Sequence, residues 1–461
     1  MATTVRRIKM TANIMTDYQN VPAEFHALFV VDPLTGKSLH TYHHTSGLTV
    51  KYLPRPGFSR SFAALTIPYG SIHTEFTVDG ESCRVPAGTA HFLEHCVFSR
   101  DESGGLLGAL SDFGASANAY TTHTHTLYYF STVDHFGEAL RLFFQTVLNP
   151  YLETDRIESE RPVIQAELNQ YMDDPDTRAY MKTVEALYEH HPVRADIGGT
   201  IESVATITDD HLKQVWRHFY QPAMLTLTIV GDLDERQMLE AIASLVASSV
   251  RPAESRPLPV FPEHESLVVN QRQTVRMDVA APSFLLGIRD PQPMDQPIKG
   301  CDLVYRQRAA RLALDCLLSP VSPLYENLYR QGLIHDSFDY HYSCEESFAF
   351  LICGGESPDP EKAALAVRDA LIESAAQPLP ADLFETQKRS AAGEFVSSLD
   401  SIEYSGIVQA RCSLSQVDLF DYPRIYDKIT STGAADAIRF LADPGNYTIT
   451  LLQPGRHEVD E

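Results

Sequence analysis

The chain has 461 residues, of which 44% are hydrophobic and 21% charged, a composition typical of globular proteins with two or more packed domains. Its 61 acidic and 37 basic residues give a net charge of −24, and the basic residues form no block, which argues against a nucleic-acid partner. No stretch approaches the roughly 18 uninterrupted apolar residues of a membrane span, so none is predicted.

The seven cysteines are dispersed and form no CxxC pair. The N-terminal residues include basic side chains but no continuous apolar segment, unlike a secretory signal peptide. Both features favour a cytoplasmic protein with reduced, mostly buried thiols, and neither supports a cysteine-based metal site.

The predicted elements follow a polar, flexible tail at residues 1–20. In chain order they are a strand at 48–57, a strand at 61–71, a helix at 85–98, a strand at 118–132, a helix at 136–148, a helical stretch at 154–172, a helix at 209–220 and a strand at 224–234. Pro162 either kinks the stretch at 154–172 or lies in the first turn of a new helix.

Residues 249–266 contain four prolines and no periodicity, which predicts a linker between domains at 21–248 and 267–461. Each half closes with a proline-containing turn followed by a strand, QPAMLTLTIVGDL in the first and DPGNYTITLLQPG in the second. The sequence therefore predicts an α+β fold of two copies of one unit.

The segment GTAHFLEH contains His91, Glu94 and His95, the pattern H-x-x-E-H. On a helix these positions share one face, so both imidazoles can reach one ion with the carboxylate beside it. A hydrolytic zinc site uses three protein ligands and a water whose pKa falls toward ~7, and a neighbouring carboxylate can take its proton. The same pattern is also compatible with an ordinary solvated helix face.

A third ligand has to come from elsewhere, and Glu167 is the best candidate. Glu160 and Glu167 are seven residues apart, two helical turns, so one could bind the metal while the other supports a ligand. Taken alone, both are more typical of exposed helix charges. His123 and His125 are two residues apart on the predicted strand, so their side chains face the same side. They are either rival ligands or residues of the surface or of a cleft lining. The pair His190–His191 is interpreted as structural.

The order of the motifs resembles one family. GTAHFLEH, GASANAYTTHTHTLYY, ERPVIQAE, HPVRADIGGT and YQPAMLTLTIVGDLD follow one another between about 86 and 234, and H-x-x-E-H is the inverzincin signature. The chain is similar to pitrilysin/insulinase-family zinc metallopeptidases, of the half-length bacterial and mitochondrial-processing-peptidase-like kind. The resemblance implies two homologous α/β-sandwich repeats, and a chamber for small unfolded peptides formed by two chains or one double-length chain.

The resemblance also implies residue roles. It makes His91, His95 and Glu167 the ligands of one Zn²⁺ per chain, Glu94 the general base and Glu160 a supporting carboxylate. Asn118, Ala119 and Tyr120 match the segment where an extended peptide adds to a sheet edge. Cys96 and Pro162 depart from the usual residues without touching a ligand, and the roles of Cys96, His123 and His125 stay open.

One expected feature is missing from the second half. Active relatives carry an arginine and, seven residues later, a tyrosine; in NLYRQGLIHDSF the matching positions hold Leu328 and His335, and Arg330 is two residues out of place. A homologous zinc-less subunit that supplies the pair, in a heterodimer, is therefore predicted, with a homodimer as the other arrangement.

Three functions remain in competition. The first is a zinc endopeptidase for short or unstructured peptides, with zinc-bound water activated by Glu94. The second is a non-catalytic structural or regulatory subunit, and the third is a dedicated peptide-maturation protease. All four positions of the zinc motif are filled, which favours an enzyme.

Overall fold

The computed structural model of the chain describes residues 21–32, 35–98, 105–248, 255–262, 265, 268–295 and 297–455. Within these ranges every helix is too short or too polar to cross a bilayer. The predicted tail at 1–20 lies outside the described residues.

The fifteen strands of the described chain form three sheets. The strands are β1 Phe25–Val31, β2 Ser38–His44, β3 Thr49–Pro54, β4 Ser61–Ile67, β5 Glu75–Val78, β6 Glu81–Arg84, β7 Ser116–Thr121, β8 Thr126–Thr132, β9 Thr226–Gly231, β10 Leu258–Pro259, β11 Arg272–Met277, β12 Ser283–Arg289, β13 Asp339–Cys344, β14 Ala349–Glu356 and β15 Tyr447–Pro454. Their orders are β1-β2-β3-β9-β4-β8-β7, β10-β5-β6 and β11-β15-β12-β14-β13.

The α-helices of the described chain surround these sheets. They are α1 Thr89–Phe98, α2 Gly105–Ser111, α3 Phe136–Leu148, α4 Thr154–Asp173, α5 Pro175–Leu187, α6 Ile201–Thr206, α7 Asp209–Phe219, α8 Glu235–Ser248, α9 Gln292–Asp295, α10 Gly300–Leu318, α11 Pro323–Arg330, α12 Pro360–Ala375, α13 Ala381–Ser398, α14 Ile402–Leu414, α15 Tyr422–Lys428 and α16 Ser431–Ala437.

The two large sheets repeat one pattern. In each, the closing strand (β9 or β15) lies parallel to one neighbour (β3 or β11) and antiparallel to the other (β4 or β12). A hairpin then completes the sheet and leaves β7 or β13 at its edge. The prediction of an α+β fold with two copies of one unit is confirmed.

The two halves pack reciprocally. Helix α14 of the second half covers β4 and β9, while α5 of the first half covers β12 and β15. Both contacts depend on glycine, because a Cβ at Gly406 would lie 2.3 Å from the Phe62 ring and one at Gly287 would lie 2.6 Å from Thr183. All seven residues of β4 are buried, since helices cover both faces of its sheet.

The structure corrects three sequence-based expectations. The strand predicted at 118–132 is the hairpin of β7 and β8, because the chain turns at 122–125. Of the two alternatives for Pro162, the first turn of a new helix is wrong, since α4 runs from Thr154 to Asp173 with Pro162 inside it. Part of the predicted linker joins the first half, where Leu258 and Pro259 pair with β5, while 249–254, 263–264 and 266–267 lie outside the described residues.

The cysteines, all within the described residues, form no disulfide. Five are buried, whereas Cys83 is half-buried and Cys301 exposed. Cys96 packs in the core of the first half, so the interpretation of these residues as mostly buried thiols is confirmed.

Candidate metal centre

Helix α1 places His91 and His95 one turn apart, with their ring centroids at 4.7 Å. The residues between and beside them, Phe92, Leu93 and Cys96, are buried in the core. This burial fixes the rotation of α1 about its axis, so the two imidazoles face α4 rather than solvent.

Helix α4 brings Glu167 to both imidazoles. Its Oε2 atom lies 3.2 Å from His95 Nε2 and 3.9 Å from His91 Nε2. The candidate ligand atoms of these three residues all lie within 4.8 Å of one another. Among the described residues, they form the group of histidine, cysteine and acidic side chains with this spacing.

The donor set fits zinc. Ligands held ~2.0–2.1 Å from a tetrahedral zinc ion are roughly 3.3 Å from one another, and two histidines with one carboxylate leave the fourth position open. The observed separations of 3.2 Å and 3.9 Å bracket that value. The three residues therefore have the chemistry and spacing of a hydrolytic zinc site, with no thiol among them.

Two further side chains hold the carboxylates of α4 in place. The Tyr171 hydroxyl donates a hydrogen bond of 2.7 Å to Glu167 Oε1, leaving Oε2 for the histidines. Glu160 is buried, with Oε2 3.7 Å from His95 Nδ1 and Oε1 3.0 Å from the Arg156 guanidinium. Glu160 thus lies behind His95, where it can accept the ring N–H and fix the tautomer.

Glu94 lies beside the histidines on α1. Its Oε2 atom accepts a hydrogen bond of 2.6 Å from the Thr121 hydroxyl at the end of β7. Burial raises the pKa of the Glu94 carboxyl, although the Thr121 hydrogen bond opposes this shift. Burial lowers the pKa of His91 to about 4. Its imidazole is therefore neutral near pH 7, and the neutral imidazole is the form that binds metal.

A backbone contact explains the glycines of the HPVRADIGGT motif. A Cβ at Gly88, where φ is +88°, would lie 2.3 Å from the Gly198 carbonyl oxygen, and one at Gly199 would lie 2.6 Å from that of Ala87. The start of α1 and this loop therefore touch through their main chains. The contact fixes the position of His91 relative to the loop. The buried Nδ1 atom of His91 faces Gly198.

The predicted peptide-binding residues lie on an edge strand. β7 is the last strand of its sheet in the described chain, and the Ala119 N–H donates 2.8 Å to the Asn118 side chain instead of to β8. Asn118 and Tyr120 face α14, while Thr121 faces the histidines, since neighbouring residues of a strand point to opposite sides.

The structure corrects the placement of the other histidines. His123 and His125 lie in the turn between β7 and β8, not on one face of a strand, because the strand ends at Thr121. Both lie outside the group with metal-binding geometry. His191 is fully buried and accepts a hydrogen bond from Val193 N–H, which agrees with its structural interpretation, while His190 is exposed.

The structure shows where the side chains at and near the expected arginine and tyrosine positions lie. Leu328 is buried in the second core, His335 is exposed, and Arg330 is an exposed partner of Glu326 one turn away on α11.

Sequence reasoning missed three supporting residues. Arg156 and Tyr171 stand four residues from Glu160 and Glu167, so helical spacing alone could have found them. Thr121 completes the segment that begins at Asn118, but its bond to Glu94 required the position of β7 against α1.

Comparison with known proteins gives the family. The family model described as insulinase (peptidase family M16) matches residues 55–201, and that of the peptidase M16 inactive domain matches 206–391. The chain belongs to the M16 peptidase family. The predicted pitrilysin/insulinase resemblance is therefore confirmed, and His91, His95, Glu160 and Glu167 fall within the first match.

Two curated M16 relatives are named as zinc proteases. YmfH of Bacillus subtilis, described as an uncharacterized zinc protease, is 33% identical over 421 residues, 90% of this chain and 96% of its own. ML0855 of Mycobacterium leprae, described in the same way, is 30% identical over 213 residues, 44% of this chain and 47% of its own. The predicted likeness to half-length bacterial members is confirmed.

Solved structures share the fold. A putative M16-like peptidase from Alicyclobacillus acidocaldarius superposes with a TM-score of 0.87 at 27% identity, over 92% of this chain and all of that one. Pitrilysin superposes with a TM-score of 0.72 at 16% identity, over 95% of this chain but 47% of its own. This chain thus corresponds in length to about half of pitrilysin.

Proposed function

We propose that this M16 protein is a zinc-dependent endopeptidase that hydrolyses short or unstructured peptides. The observation that carries the proposal is the meeting of His91, His95 and Glu167 at ligand spacing with Glu94 beside them. The names of the relatives as zinc proteases support it.

Each residue of the site has a role in this reaction. Zinc held by His91, His95 and Glu167 would polarise the scissile carbonyl and make water acidic enough to be deprotonated near neutral pH. Glu94 takes the proton of the attacking water and passes it to the leaving amine. Thr121 orients that carboxylate through its hydrogen bond of 2.6 Å.

Peptide binding occurs in this proposal by strand addition to β7. The Ala119 N–H is bonded to the side chain of its neighbour and not to β8, so a peptide carbonyl can replace Asn118 Oδ1 as its acceptor. Main-chain pairing of this kind requires an extended peptide, which a folded protein does not offer. The preference for short or unstructured substrates follows from this geometry.

The alternative is a non-catalytic subunit. Such a role needs no general base, yet Glu94 is present, buried and oriented by Thr121. The model of the inactive M16 domain matches residues 206–391, which contain neither the histidines nor the glutamates of the site. The complete site in the first half favours the enzyme.

A homologous zinc-less subunit is part of the proposal. Leu328 and His335 leave the Arg/Tyr positions of this chain without suitable donors, and one well-placed donor contributes a rate factor of about 10²–10³. The chain alone should therefore hydrolyse peptides weakly. Full activity of the purified chain, unchanged by added homologues, would contradict the proposal of a heterodimer.

The Glu94→Gln substitution tests the endopeptidase proposal. The variant removes the base but no ligand, so it should keep its zinc and lose at least about 10²-fold in kcat. Hydrolysis of an unstructured peptide and zinc content are measured on the same preparations. Wild-type rates in the zinc-loaded variant would show that Glu94 is not the base.

A further inference from the structure

The edge strands β7 and β13 end at one junction. The β7–β8 turn and the β13–β14 turn meet there, with the His123 and Phe348 rings 5.7 Å apart. His191 lies beneath both, its Nε2 atom 3.2 Å from Ser347 Oγ. A peptide that extends along β7 past Thr121 therefore reaches the end of β13.

Arg411 of α14 lies near this junction. The residue is exposed although its neighbours Ala410 and Cys412 are buried. Its guanidinium lies close enough to interact electrostatically with side chains from both edge strands and both turns: Tyr120, His125, His341 and Glu345. In the described part of the chain no side chain forms a hydrogen bond or close ion pair with it.

The position of Arg411 matches the alternation of an added strand. Residues of β7 point in turn toward the metal site, as Thr121 does, and toward α14, as Tyr120 does. A peptide paired with β7 alternates in the same way, so every second side chain faces α14. In strand addition these alternate side chains give specificity, while the main chain gives affinity.

We propose, building on the peptidase function proposed above, that Arg411 binds a carboxylate of the peptide substrate. The carboxylate belongs either to an Asp or Glu side chain or to the C-terminus of the peptide. A guanidinium carries five N–H donors in a planar fork that matches both oxygens of a carboxylate.

The surroundings leave the charge of Arg411 available. Burial lowers the pKa of His125 to about 3 and also lowers that of His341, so both imidazoles are neutral at pH 7. Burial raises the pKa of Glu345 to about 7, so this carboxyl is only partly ionised there. In a chain of net charge −24, the junction thus offers an anion a local cation.

The test compares zinc-loaded wild type with Arg411→Gln on matched peptides. One peptide pair differs by Glu against Gln, and a second pair by a free against an amidated C-terminus. We expect Arg411→Gln to raise KM for the carboxylate-bearing peptide roughly tenfold, because the loss of one charge-assisted hydrogen bond weakens binding by about that factor. We expect kcat and zinc content to stay unchanged. Arg411→Lys should restore part of the loss, and Arg439→Gln, an exposed arginine elsewhere, should behave as wild type.

The outcomes separate the two proposals. A loss confined to the Glu peptide identifies a side-chain carboxylate, and a loss confined to the free C-terminus identifies the terminal one. Binding is also measured by fluorescence anisotropy on the Glu94→Gln protein, with and without Arg411→Gln, where no cleavage occurs. Equal affinities there for the acidic peptides would overturn the role of Arg411, whereas absence of hydrolysis by wild type would overturn only the peptidase function.

Discussion

Individual side chains of the metal centre are held by neighbours one helical turn away. Tyr171 orients Glu167 and Arg156 pairs with Glu160, and both pairs follow from the geometry of α4. These contacts keep the carboxylates in place before any metal binds, which lowers the ordering entropy that binding would otherwise cost.

The Tyr171→Phe variant tests this support. It removes the hydrogen bond of 2.7 Å to Glu167, so zinc affinity should fall about 10-fold, at the lower end of outer-shell effects. Competition with a zinc chelator measures the change. Tyr151→Phe is the matched control, because it removes a weaker bond of 3.4 Å to Asp155 away from the site. Equal zinc affinity in Tyr171→Phe and wild type would contradict the role of Tyr171.

Elements show what could be predicted from the sequence and what could not. The helices at 136–148 and 209–220 were predicted almost to the residue, since their apolar periodicity is strong and both end at clear boundaries. The hairpin at 116–132 was missed, because the turn THTH contains no glycine, proline or asparagine to mark it. The junction with β13 depends on long-range packing that no local pattern encodes.

Among the described residues, the group with metal-binding spacing lies in the first copy of the unit, and the corresponding helix of the second copy has different side chains. In chain order helix α10 lies between the second and third strands of the common pattern, as α1 does, and it carries Arg311 and Asp315 four residues apart. Arg311 Nε lies 2.8 Å from Asp315 Oδ1. The Tyr340 hydroxyl of β13 donates a hydrogen bond of 2.5 Å to the same oxygen. The helix of the second half that follows the same strand as α1 thus carries an ion pair.

Edge strand β7 carries the next prediction. Proline at 119 removes the outward N–H without breaking a bond to β8, so Ala119→Pro should raise the peptide KM several-fold and leave zinc content unchanged. Ala119→Ser keeps the N–H and should behave as wild type. An unchanged KM in the proline variant would argue against strand addition at β7.

At the scale of the whole molecule, three histidines lie between the two halves. His73, His123 and His191 lie around Phe261 and Phe348 where the first half meets the second. Burial lowers the pKa of His123 to about 4 and that of His191 to about 3, so both are neutral in the folded protein. The unfolded chain binds their protons below the ordinary pKa of 6.5, so stability falls as the pH falls from 6.5 toward 4.

The His123→Phe variant tests this dependence. Removing one such histidine should reduce the loss of unfolding free energy between pH 7 and pH 5 by about 2 kcal/mol. Urea denaturation at both pH values measures it, with His190→Phe, at an exposed position, as the control. The same pH dependence in both variants would contradict the contribution of His123.

The measurement that tests the central claim most directly is a zinc titration of the metal-free chain, followed by peptide hydrolysis. A site of His91, His95 and Glu167 predicts that hydrolysis is absent without metal, rises linearly with added zinc and saturates at one zinc per chain. Hydrolysis by the metal-free protein, or saturation that does not occur at one equivalent, would contradict the account.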